Sequence, residues 1–231
     1  MERKEMGIIY EQGVEKEKFN VDNILHVFLV PNGDKKENAY ILCDREEVDG
    51  ALIDPGTNEY KLIRALEDYR VNITKVFITH AHEGHVKCIQ ELLHDIGDLT
   101  IYLNEADRPL FDSIVAKGLT AEDEMQIKYL KHMDEVAVGS HKGKVYHTPG
   151  HTPGSLCYHF GNFLFTGDTL MCNKVGETTA EGSDLELMKK SIKELILPLR
   201  KETMILPGHG PFSSVGTEAL FNPVVGKKGN Q

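Results

Sequence analysis

The chain has 231 residues, of which 40% are apolar and 27% charged, with a formal net charge of −10. That length has room for one sizeable core or two small ones, and the composition is that of an ordinary water-soluble globular protein. The negative charge argues against nucleic acid or an anionic membrane as the main partner, and the Glu- and Lys-rich first twenty residues show neither a signal peptide nor a spanning segment, so a cytoplasmic location is expected.

In chain order, short apolar runs bounded by turn residues predict strands at 26–30, 40–43, 50–53, 75–79 and 100–103. A second set is predicted at 144–147, 155–160, 163–166 and 203–206. Asn32-Gly33-Asp34 and Gly161-Asn162 read as hairpin turns. Between the strands lie helical repeats. Leu62, Ile63, Leu66 and Tyr69 form one, and Val86, Ile89, Leu93 and Ile96 another that Gly97 stops. Leu185, Met188, Ile192 and Leu195 make a third, capped by Ser183 or Asp184 and ended by Pro198. Residues 105–117 are a weaker helix. The acidic stretch 120–135 is the expected mobile segment near a site, and the tail 226–231 is expected to fray. This order predicts an α+β fold in which sheets pack face to face with helices outside, and no linker divides residues 1–231. Cys43, Cys88, Cys157 and Cys172 are widely spaced without a C-x-x-C, so free thiols are expected.

The chemistry is carried by histidines. His80-Ala81-His82-Glu83-Gly84-His85 leaves the strand predicted at 75–79. His80 and His82, two apart in an extended segment, can face one ion together, while His85 begins the next helix and faces a neighbouring position. His151 lies in a turn set by Pro149, Gly150, Pro153 and Gly154; Asp168 follows Gly167 at a strand end; His209 is held between Pro207-Gly208 and Gly210. Imidazole and carboxylate are ligands that zinc, iron and manganese accept, and rigid loops at strand ends are where binding groups sit. His26, His94, His132, His141 and His159 lack such a context. His147, four residues before His151, sits in a predicted strand rather than the turn.

These motifs resemble the metallo-β-lactamase fold superfamily, whose signature is His-x-His-x-Asp-His, a distant His, a bridging Asp and a last His. Asn38-Ala39-Tyr40 and Ile53-Asp54-Pro55-Gly56 look like its early strands and first motif. The segments His151-Thr152-Pro153-Gly154-Ser155, Gly167-Asp168-Thr169 and Pro207-Gly208-His209-Gly210 resemble its glyoxalase II branch. The ending from Gly216 to Pro223 resembles the short bacterial members without the extra helical domain. The resemblance implies a four-layer αββα sandwich. It implies a first ion on His80, His82 and His151, a second on His85 and His209, and Asp168 as the bridge and catalytic carboxylate. Zinc, one ion or two, is the implied cofactor, with iron or manganese as alternatives, and a small molecule is the implied partner.

The chain departs from the pattern. Gly84 stands where the family has aspartate, Lys87-Cys88 where a Gly-Gly pair is common, and Glu177 where the short branch has arginine. Gly84 predicts a second position weaker than the first, and Glu83 points away from it. The implied activity is metal-dependent hydrolysis of a thioester or related ester. A mononuclear-iron persulfide dioxygenase and a metal-binding module with little catalysis remain as alternatives.

Overall fold

The computed structural model describes residues 7–11, 14–20, 25–33, 37–44, 49–115, 119–120, 123 and 126–228. Its first sheet has eight strands in sequence order: β1 (Gly7–Glu11), β2 (Val14–Asn20), β3 (Leu25–Asn32), β4 (Glu37–Asp44), β5 (Asp49–Ile53), β6 (Asn72–Phe77), β7 (Thr100–Leu103) and β8 (Ile127–Tyr129). Pairing is antiparallel from β1 to β5 and parallel from β5 to β8. The second sheet holds β9 (Glu135–Val138), β10 (His141–His147), β11 (Leu156–Phe160), β12 (Phe163–Gly167), β15 (Met204–Pro207) and β16 (Ser213–Ser214). Between β12 and β15 in sequence, β13 (Leu170–Met171) and β14 (Lys174–Val175) form a small ribbon.

Period-two alternation decides which side chains meet where. On β3 and β4, Val27, Leu29, Tyr40 and Leu42 pack against Val145, Tyr158, Phe160 and Phe165 of the second sheet. The alternate residues Phe28, Val30, Ala39 and Ile41 face outward. There they meet Leu62 and Leu66 of α1 (Glu59–Tyr69), Ile89 and Leu92 of α3 (Ile89–Ile96), and Phe111 of α4 (Arg108–Ile114). A third core lies outside the second sheet, where Cys157, Leu164 and Ile205 meet Met188 of α5 (Leu185–Ser191) and Val215 of α6 (Val215–Phe221). The layers are therefore helices, sheet, sheet, helices, the αββα arrangement expected.

Several local expectations need correction. The helix predicted through Val86 to Ile96 is two helices, α2 (Glu83–Val86) and α3. The Gly56 loop intervenes: its amide donates to the His85 carbonyl at 3.1 Å and its carbonyl accepts from the Cys88 amide at 3.1 Å. The last residues of the third repeat, Ile192–Ile196, form a π turn closed by the Leu197 amide on the Ile192 carbonyl. The extra residue puts Ile196, not Leu195, in the core. Where described, the acidic stretch expected near the site builds edge strand β8 and lines no part of the cleft below. The tail is tied rather than frayed over residues 226–228, by Lys227 and Lys228 amides bonding to the Ala219 and Leu220 carbonyls. Its last three residues lie outside the described set, as does Asp34 of the Asn32-Gly33-Asp34 turn. Strands β1, β2, β8 and β9 and the two-residue strands β13, β14 and β16 lie outside the predicted set. Among the described residues no helix is long and apolar enough to cross a membrane.

Candidate metal centre

The segments that carry the histidines follow β6, the β10–β11 turn, β12 and β15, and all open into one cleft of about 760 Å³. His80, His82 and His151 place ligand atoms within 4.8 Å of one another, and His85, Asp168 and His209 do the same. Nitrogens bound to one tetrahedral zinc at about 2.05 Å stand roughly 3.3 Å apart, so both trios have the spacing of ligand sets.

Hydrogen bonds decide which nitrogen each ring offers. The Thr79 hydroxyl donates to Asp54 Oδ2 at 2.6 Å, so it accepts from His80 Nδ1 at 3.1 Å. His80 Nε2 is then a lone pair, buried and without a hydrogen-bond partner. His151 Nδ1 donates to the Glu177 carbonyl at 2.7 Å, so its Nε2 is the acceptor that meets His82 Nδ1 at 2.9 Å within the first trio. In the second trio His85 Nδ1 donates to Asp54 Oδ2 at 3.0 Å. Its Nε2 lies 3.9 Å from Asp168 Oδ1, while Asp168 Oδ2 lies 3.7 Å from His151 Nε2 and 3.5 Å from His209 Nε2. Asp168 thus stands between the trios, and its buried Oδ1 also lacks a hydrogen-bond partner. Buried lone pairs converging without donors are costly unless a cation meets them, so the donor set fits a metal ion.

The supporting groups went unassigned in the sequence. Asp54 lies close enough to His80 and His85 to form a third trio, but both its oxygens are taken, by the Thr79 amide at 2.7 Å and by the Thr79 hydroxyl and His85. It orients ligands rather than serving as one. Asp107, 1% exposed, ties two ligand loops together. It accepts from the Ala81 amide at 3.0 Å, the Thr152 hydroxyl at 2.8 Å and the Gly154 amide at 2.6 Å. Asn38 and Tyr40 anchor the His209 loop: the Asn38 amide donates to the Gly208 carbonyl at 2.8 Å and the Tyr40 hydroxyl to the Pro207 carbonyl at 2.6 Å. Gly208 admits no side chain, because a Cβ there would meet Asp168 Oδ1 and the His85 ring. Asn38-Ala39-Tyr40 was the only signal that could have pointed to this anchor.

Electrostatics separate the trios. Burial, then the neighbouring rings of His85, His151, His82 and His209, holds His80 well below the usual imidazole range. Burial also pushes His85 down, but Asp54, Asp168 and Glu37 outweigh it and its pKa is raised.

The remaining candidates are outside the ligand trios. His147 Nε2 meets the Pro153 carbonyl at 2.9 Å and belongs to no trio. Glu83 is exposed and pairs with Lys87 at 2.7 Å, so it does not replace the missing aspartate. Glu177 serves through its carbonyl. The four cysteines are free; burial raises the Cys88 thiol and pushes Cys157 up to about 12, so neither is a nucleophile near neutrality.

A sequence model of the Metallo-beta-lactamase superfamily matches residues 32–209. Hydroxyacylglutathione hydrolase GloC of Haemophilus influenzae is 29% identical over 88% of this chain and 100% of its own length. Among solved structures, TTHA1623 in a di-iron-bound form is 33% identical with a TM-score of 0.74, covering 85% of this chain and 99% of its own. ETHE1 from Myxococcus xanthus is 25% identical with a TM-score of 0.74, covering 88% and 86%.

Proposed function

The chain belongs to the Metallo-beta-lactamase superfamily, and from that premise we propose that it is a metal-dependent hydrolase of a thioester or related ester. The observation that carries the reading is the convergence of His80, His82, His85, His151, Asp168 and His209 on one cleft whose neighbouring thiols are inert. His80, His82 and His151 would hold one ion, His85 and His209 a second, with Asp168 between them; zinc suits the donor set, and iron and manganese accept it too. When bound, such ions bring the pKa of water toward neutrality and polarise a carbonyl oxygen.

The chain's own residues supply the rest. Asp54, through Thr79 and directly, fixes the tautomers of His80 and His85. The Glu177 carbonyl does the same for His151. The unpartnered Asp168 Oδ1 can accept a proton from a water held in the cleft. Lys174 at the rim offers a cationic side chain to an anionic substrate. Likeness to the GloC hydrolase supports a thioester as the scissile group.

The test pairs elemental analysis of purified protein with a panel of glutathione and other acyl thioesters. Turnover that a chelator abolishes and zinc restores is expected. Oxygen uptake with glutathione persulfide and no thioester cleavage would move the assignment to an iron oxidoreductase. Metal binding without turnover of either would leave a binding module.

A further inference from the structure

Gly84 deprives the second trio of a carboxylate, yet an acid from another part of the chain occupies the space. Glu37, the first residue of β4, is 4% exposed and lines the ligand cleft. A Cβ built on Gly84 would lie 2.7 Å from Glu37 Oε1 and 3.1 Å from its Cγ. The Glu37 backbone forms a β-bridge with His209, so its side chain reaches Gly84 from beside a member of the second trio. Its other oxygen, Oε2, is buried beside Gly33 without a hydrogen-bond partner. A carboxylate oxygen so buried and unpaired is costly unless a cation compensates it. The backbone at Gly84 is ordinary helix, so glycine is not demanded by conformation. A side chain there would require the end of the Glu37 side chain to move.

We propose that Glu37, from just outside the His85, Asp168 and His209 trio, supplies the anionic charge beside the second metal position, replacing across the sheet the carboxylate that residue 84 lacks. This rests on the metal-centre reading above. It reverses the expectation that the second position is merely weakened: charge has been relocated, and the two residues form an exchangeable pair. Gly84→Asp alone would press two carboxylates together rather than restore a ligand.

The test is zinc titration of the metal-stripped full-length protein against a chromophoric chelator, for wild type, Glu37→Gln, Gly84→Asp and the double variant Glu37→Ala with Gly84→Asp, in which the space is vacated. Wild type is expected to take two ions. Glu37→Gln should weaken the second at least 10-fold and leave the first within 2-fold. The double variant should regain the second site to within about 3-fold of wild type, and Gly84→Asp alone should fall below wild type. Melting of the metal-free proteins supplies a control: Glu37→Gln, which removes a buried unpaired charge, should melt no lower than wild type. Unchanged zinc binding by Glu37→Gln, equal weakening of both sites, a lower metal-free melting temperature, or a gain by Gly84→Asp alone would each overturn the proposal. One ion in the wild type would overturn it and leave the hydrolase reading standing at the first trio; none would overturn both.

Discussion

The two ligand trios differ in how they are held. The first, His80, His82 and His151, sits on two loops that Asp107 ties together with three hydrogen bonds, and two of its rings have fixed tautomers. The second, His85, Asp168 and His209, gathers residues that follow a helix start and two strands of the opposite sheet, and its loop is anchored by Asn38 and Tyr40 of the first sheet. Both trios span the two sheets, but the first is braced by a single buried carboxylate bonded to both of its loops, and the second by main-chain and side-chain bonds from β4 to the His209 loop. The first should hold its ion through geometry, and the second through charge.

Breaking the first trio should have the largest effect. His151→Ala is expected to lower bound metal by more than half and thioester turnover by about 100-fold or more, direct ligands exceeding the roughly 10 to 100-fold of supporting partners. Unchanged stoichiometry by elemental analysis would refute the assignment. Next is the brace: Asp107→Ala strands three buried donors and should cost about 3 kcal/mol, read as a fall in melting temperature of roughly 6 to 12 °C. A loss under about 1 kcal/mol would mean the loops hold themselves.

Acid should then separate the trios. His80, held below its ordinary 6.5, stays neutral as pH falls and presents no proton to compete with an ion. His85, raised above 6.5, must release one on binding. The second ion should weaken roughly 10-fold per pH unit below the His85 pKa and leave first, as bound metal after dialysis at stepped pH would show. Simultaneous loss of both ions would erase the distinction. The smallest effect belongs to Glu83→Ala. It breaks an exposed pair with Lys87 worth 0.5 kcal/mol or so at most, and should leave stoichiometry unchanged.

The ligand candidates and their supports were unequally legible. Candidate metal ligands are few residue types at strand ends and in tight turns, so His80, His82, His85, His151, Asp168 and His209 could be named from the chain alone. Their supports could not. Asp107 acts on residues 26 and 47 positions away, and a lone acid before a weak helix reads as surface. Glu37 opens a strand and likewise reads as solvated; only the fold shows that it faces Gly84. Continuous apolar runs revealed the central strands because they bury both faces, whereas β2 is rich in Glu and Lys and β8 has three residues, too few for a period. The π turn at Ile192–Ile196 has no signal in a 3.6-residue repeat, which is why the wrong leucine was placed in the core.

The parallel pairing of β12 with β15 sets a chronology. The first trio is complete once the Glu177 carbonyl that orients His151 has been made; the second waits for β15 and His209. At roughly 5 to 20 residues per second of synthesis, the stretch from 177 to 209 takes about two to six seconds. Over that interval the chain holds every residue of the first trio while its second sheet still lacks β15.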